Sequence, residues 1–225
     1  MERTGSQLIS FIVSIILARL LMPADYGIIA LCMVFISILQ VFADSGLGTA
    51  LIQKKDPDDL DFSTVFYTNI FLAVGLYIIM YLLAPLIAIF YSMPDLVGLI
   101  RVLSLVLLIN GLRNVQQSYV SKHMIFKRFF YSTLTASVLS AVIGISMAYA
   151  GFGMWALVAQ QLSNGLIATI VLWWTVPWRP IFSYSFSRLK ELFSFGSKLL
   201  VAMLISNAYD QLWQLVIGKM YSPSS

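Results

Sequence analysis

LARLLMPADYG, residues 17–27, separates two long apolar runs and packs Arg19, Pro23, Asp25 and Gly27 into eleven positions. Proline ends a helix because it lacks an N–H, an aspartate one turn on can cap the next helix, and glycine permits a tight return. The apolar runs on either side, 5–22 and 27–52, are each long enough for a helix to cross a bilayer, which takes about 20 residues. The stretch therefore reads as a hairpin turn at a membrane surface.

The rest of the chain repeats that pattern. Further apolar segments cover 63–91, 96–118, 129–150, 152–176 and 192–218, making seven. Turn chemistry separates them: the charged run Lys54-Lys55-Asp56-Pro57-Asp58-Asp59, then Met93-Pro94-Asp95, the basic stretch 122–128, Gly151-Phe152-Gly153, and Pro177-Trp178-Arg179-Pro180. The first segment lacks the basic flank and cleavage site of a secretory leader, so it reads as a span.

Composition agrees. Of 225 residues, 60% are hydrophobic and 11% charged, with mean hydropathy +0.87; a soluble domain is about 45–50% apolar and about 25% charged. One cysteine (Cys32) excludes an internal disulfide, and one histidine (His123) leaves no zinc cluster or His-based triad. Gly46-x-Gly48 and Gly151-x-Gly153 are turns or packing sites rather than phosphate cradles, which argues against ATP-driven work. No metal, cofactor or nucleic-acid partner is expected, and the coupling ion stays open.

Cation placement sets the orientation. Arg3, Lys54, Lys55, Lys122, Lys127, Arg128, Arg179, Arg188 and Lys190 precede the first span or follow spans two, four and six. By the positive-inside rule that side, with the N-terminus, faces the cytoplasm. Trp173, Trp174 and Trp178 are expected to form an aromatic anchor there.

The opening motif has an echo. In LVIGKMYSP, residues 215–223, Lys219 and Pro223 stand 200 residues after Arg19 and Pro23, each pair following an apolar helix. Six spans between the copies put them in the same orientation, a transporter signature. The expected fold is an all-α polytopic membrane protein: a six-helix N-terminal bundle over 1–176, a cytoplasmic linker over 177–191, and over 192–225 the first helix of a second, repeat-related bundle. The N-terminus then looks clipped, and Ser225 is not expected to be the natural end.

Polar residues recur inside the spans at helical spacing. Span two carries Ser37, Gln40, Asp44 and Gly48; span four, Asn110, Arg113, Asn114 and Gln117; span six, Gln160, Ser163 and Asn164; span seven, Asn207, Asp210, Gln211 and Gln214. Each set lies on one narrow face. A single amide there is explained by an interhelical hydrogen bond of roughly 0.6 kcal/mol. Four striped spans with charges are better explained by a water-filled cavity, because a mid-bilayer charge costs at least about 2.5–3.5 kcal/mol. Asp44 sits roughly 12 Å and Lys198 roughly 9 Å from the cytoplasmic end of their spans, so the two are expected to approach each other in one state as part of a gate. Asp210 is about as deep from the other face. Arg113 reads equally as a cavity residue or as a snorkelling one, and Arg19 and Arg101 as surface anchors. The carboxylates at 56–59 read as a solvated loop, with Asp61 capping span three.

ARLLMPADYG, FADSGLGTALIQKKD and LFSFGSKLL, in this order and spacing, resemble Wzx-type polysaccharide flippases of the multidrug/oligosaccharidyl-lipid/polysaccharide exporter superfamily. The nearest group looks like the colanic-acid and lipopolysaccharide exporters, the polysaccharide transporter family. RVLSLVLLINGL and GFGMWALVAQQL look like the same family, and the resemblance runs along essentially the whole chain. It implies two six-helix bundles facing a central cavity, in a bacterial inner membrane. It also implies transport by alternating access of a lipid-linked oligosaccharide, carried on undecaprenyl pyrophosphate, for lipopolysaccharide or exopolysaccharide biosynthesis. Arg19 and Asp25 fall in the family's turn after span one, and Asp44 matches an acidic position after Phe-Ala in span two. Other membrane proteins of polysaccharide assembly are implied partners. The resemblance also implies that the chain covers only the N-terminal half, so a nonfunctional or partner-requiring fragment is an alternative. A multidrug exporter of the same superfamily and a membrane enzyme of polysaccharide assembly are the others; no enzyme activity is expected, because the one acidic cluster, Asp56, Asp58, Asp59 and Asp61, reads as a charged loop with a helix cap.

Overall fold

A computed structural model describes the backbone of residues 2–220 and the side chains of 11–206. Nine helices in chain order make up the described residues: α1 (Glu2–Leu20), α2 (Pro23–Asp44), α3 (Leu47–Gln53), α4 (Asp59–Tyr91), α5 (Leu96–Leu103), α6 (Leu105–Lys122), α7 (Lys127–Tyr149), α8 (Met154–Thr175) and α9 (Phe186–Met220). The protein is an all-α polytopic membrane protein. Among the described residues five stretches are long and apolar enough to span: α2, α4, α5 with α6, α7 and α8. At 33 residues, α4 is about 50 Å long, so its acidic first turn reaches past the roughly 30 Å hydrocarbon core.

The opening hairpin is tighter than its sequence suggests. Pro23 is the first residue of α2, and the Asp25 carboxylate accepts the Met22 N–H at 3.1 Å. Gly27 lies inside α2 and not in the turn, because Leu21 and Met22 alone complete the return. Arg19, in the last turn of α1, is exposed.

Span 27–52 is not one helix. It stops at Asp44 and resumes at Leu47, with Ser45 at φ 47° and Gly46 at φ 68°. Gly46 is needed there twice over. A Cβ on it would overlap the Gly196 carbonyl oxygen and stand 3.0 Å from Gly196 Cα, so the break in α2–α3 is where α9 docks backbone to backbone. The Ser-Gly pair was the sequence signal for this interruption. Residues 186–191, expected in the linker, already belong to α9.

Small residues set the tightest interface. Ser132, Ala136, Ser140, Gly144 and Ala148 recur every four residues on the buried face of α7, letting α8 approach closely in the manner of membrane helix pairs. Ser132 Oγ donates to Ala168 O at 2.9 Å. At the end of the molecule where α4 begins, Leu51, Phe62, Phe66, Val115, Leu172 and Trp178 form a core joining α3, α4, α6 and α8. Trp178 is therefore no membrane anchor. The connector after α8 turns inward and packs its ring against Phe62 at 5.8 Å and Tyr119 at 6.4 Å. Trp174 alone of the three tryptophans is strongly exposed, at 85%.

Candidate functional site

The polar stripes of spans two and four meet. Gln40, one turn before Asp44 on α2, donates from Nε2 to Asp44 Oδ1 at 3.0 Å. Across the interface Asn114 donates from Nδ2 to the same oxygen at 2.9 Å. Asn110 Nδ2 donates to Gln40 Oε1 at 2.8 Å, and Arg113 Nη2 donates to Asn110 Oδ1 at 2.8 Å. The result is a relay Arg113–Asn110–Gln40–Asp44–Asn114 in which each member is fixed by the next. Arg113 and Asp44 stand close enough for their charges to interact, although no direct ion pair joins them. Arg113 faces the protein interior and does not snorkel, and its Nε is buried without a partner.

Beside the relay lies a cavity of about 180 Å³, lined by Asp44, Gly46, Gly48, Thr49, Ile52, Asn114, Gln117, Ser118, Ser121 and Met203. It occupies the angle opened by the break between α2 and α3, with α6 as one wall and α9 as another. Gln117 joins Asp44 and Asn114 there. Gly48 of the span-two stripe also lines it, whereas Gln160, Asn164 and Lys198 do not. Asn164 Nδ2 donates to Ser140 Oγ at 3.1 Å, and Gln160 packs where a Cβ on Gly144 would stand. Both thus serve the α7–α8 contact, since the small face of α7 draws α8 against it. Lys198 is exposed on α9 and forms no ion pair with Asp44, whose Oδ1 accepts from the two amides. Asn207, Asp210, Gln211 and Gln214, with Lys219 and Pro223, lie outside the described side chains. Arg101 stacks on Tyr81, its guanidinium carbon 4.0 Å from the ring centre.

A second polar cluster lies at the predicted cytoplasmic end, and the sequence concealed it. Asp58, not Asp61, is the N-cap of α4, accepting from Asp61 N at 2.9 Å, while Asp58 N donates back to Asp61 Oδ2 at 3.1 Å. Asp61 has no exposed surface and binds Lys54 Nζ at 2.9 Å and Arg188 Nη1 at 3.0 Å. The hydrogen bond to Asp61, with its negative charge, holds the Arg188 guanidinium above its ordinary pKa. Arg188 also reaches Asp58 at 3.0 Å, and Lys54 reaches Glu191 at 3.5 Å. Asp61, expected as the cap, is instead the N3 partner of that capping box, and cations from α9 and from the end of α3 converge on it; Asp58, expected in the solvated loop, is the cap. An acidic residue three positions after another at a helix start was the available sign, but it announced a cap and not a buried ion pair.

Two further cations of this end, Lys122 and Arg179, serve helix termini. Lys122 Nζ donates to Ile52 O at 3.0 Å and to Lys54 O, closing the last turn of α3. Arg179 Nη1 donates to Val176 O at 2.6 Å and Trp178 O at 2.7 Å, closing α8. Cations suit the partial negative charge of helix C-termini.

Sequence comparison adds identity to this geometry. The family described as "Polysaccharide biosynthesis protein" matches residues 16–225. The chain belongs to that family. Among its polysaccharide-biosynthesis relatives, the teichuronic acid biosynthesis protein TuaB of Bacillus subtilis is 32% identical over 80% of this chain and 38% of its own. The succinoglycan biosynthesis transport protein ExoT of Rhizobium meliloti is 27% identical over 87% of this chain and 40% of its own. The lipopolysaccharide biosynthesis protein WzxC of Escherichia coli is 23% identical over 91% of this chain and 42% of its own. The chain thus spans about two fifths of these family members. No solved structure matches it.

Proposed function

We propose that this chain forms the first half of a flippase that moves an oligosaccharide linked to undecaprenyl pyrophosphate from the inner to the outer leaflet by alternating access. The observation that carries this is the relay on α2 and α6. A carboxylate and a guanidinium held inside the membrane-spanning part cost at least about 2.5–3.5 kcal/mol each, more than an interhelical amide pair of roughly 0.6 kcal/mol returns. Charges kept there at such a cost belong to a transport path, and the cavity beside Asp44 supplies its wall. The names of ExoT, a transport protein, and WzxC support the same class of cargo.

On this reading α9 is the first helix of a second bundle that closes the cavity from the other side. The relatives' greater length supports such a bundle, supplied by a continuation of this chain or by another chain. The basic loops, with the N-terminus, face the cytoplasm.

The test is movement of a fluorescent lipid-linked oligosaccharide between leaflets of proteoliposomes. Transport that falls in Asp44→Ala at unchanged protein level supports the proposal. Movement of cationic dyes instead assigns a multidrug exporter, and glycosyl transfer without movement assigns an enzyme.

A further inference from the structure

We infer that the cavity beside Asp44 receives an uncharged, hydroxyl-rich group, a single sugar ring of the cargo, and turns its phosphates away. The inference rests on the flippase reading for what the cargo is, and on the cavity's own chemistry for which part of it enters.

The lining supplies one carboxylate (Asp44), two amides (Asn114 and Gln117) and three hydroxyls (Thr49, Ser118 and Ser121). Ionised carboxylates only accept hydrogen bonds, amides do both, and hydroxyls do both; that mixture matches the donor–acceptor pairs of a polyol. Both protein amides that bind Asp44 donate to Oδ1, which leaves Oδ2 for a ligand hydroxyl. Ile52 and Met203 border the polar wall and can cover the C–H face of a ring. At about 180 Å³, the space is smaller than the roughly 300–1,000 Å³ of sites for drug-sized ligands, so it seats one ring at a time.

Cations are the strong phosphate binders, and among the described residues none lines this cavity. Arg113 donates to Asn110 behind the relay, Lys122 donates to the Ile52 and Lys54 carbonyls, and Lys54 is paired with Asp61 and Glu191. A phosphate entering here meets the Asp44 carboxylate instead, a like charge in a medium that screens poorly.

The experiment is saturation-transfer NMR on the purified full chain in detergent, with methyl glycosides of neutral hexoses as probes and inorganic pyrophosphate as competitor. Transfer to at least one glycoside is expected, undiminished by equimolar pyrophosphate and reduced about tenfold or more in Asp44→Asn, as loss of a charged acceptor for a ligand hydroxyl implies. Gln117→Ala and Thr49→Val, which touch the cavity but not the relay, are expected to reduce it as well, so a misfolded Asp44 variant does not decide the matter. The inference is overturned if no glycoside shows transfer, if pyrophosphate displaces the glycoside, or if all three variants bind like the parent. Glycoside binding without movement of lipid-linked cargo in vesicles sinks the flippase reading alone. Cargo movement with pyrophosphate displacing the sugar sinks this inference alone.

Discussion

Asp61, fully buried at the start of α4, lies 3.0 Å from Arg188 in the first turn of α9. These residues are 127 positions apart, and their pair fixes the start of α9 to the start of α4. The connector between α8 and α9 is pinned to the same place: Ile181 N donates to Ser63 Oγ at 3.0 Å and Ser185 N to Thr64 Oγ1 at 3.2 Å. Eight residues after Arg188, Gly196 meets Gly46.

Asp61→Asn is expected to destabilise the protein by roughly 1.5–3 kcal/mol, because it removes the buried charged acceptor that Lys54 and Arg188 share and leaves them only the more exposed Glu191 and Asp58. Glu191→Gln, whose pair with Lys54 is longer and more exposed, is expected to change stability by less than about 1 kcal/mol. Thermal unfolding in detergent at two salt concentrations separates the cases: the exposed pair alone should respond to salt.

Gly46→Ala is expected to loosen the α9 contact. The left-handed backbone at φ 68° costs an alanine roughly 1–2 kcal/mol, and its methyl group overlaps Gly196. Gly75→Ala on α4 meets no atom within 4 Å and is expected to stabilise, by up to about 1 kcal/mol. Protease sensitivity around residues 176–185 should rise in the first variant and not in the second.

The relay predicts coupling between helices. A double-mutant cycle of Gln40→Ala with Asn110→Ala is expected to give a coupling energy near 0.6 kcal/mol and below about 1.7 kcal/mol, the range for hydrogen bonds between membrane helices. A cycle of Gln40→Ala with Asn164→Ala is expected to give none, since Asn164 binds Ser140 in the α7–α8 interface.

Orientation is open to chemical labelling. Lys127→Cys and Asp95→Cys both sit at exposed positions, and the sole native thiol, Cys32, is buried. In intact cells a membrane-impermeant maleimide is expected to label Asp95→Cys only; in inverted vesicles it should label Lys127→Cys only. The opposite pattern would reverse the assignment of the basic loops to the cytoplasm.

Sequence alone determined that this is a helical membrane protein, where most of its spans run, and that α2 and α6 carry polar faces. Hydrophobicity and period are properties of one segment at a time, so they survive in the order of residues. Its motifs likewise carried the family resemblance. What only the tertiary structure decided was which segments share a partner. The stripe on α8 looked like that on α6, yet Asn164 turns to α7 while Asn110 turns to Gln40. Asp61 read as a helix cap until Lys54 and Arg188 were brought to it. Lys198 and Asp44 matched in depth, but depth along two helices does not fix which faces meet. A buried charge or a glycine contact is settled by groups more than a hundred residues away, and no local period records them.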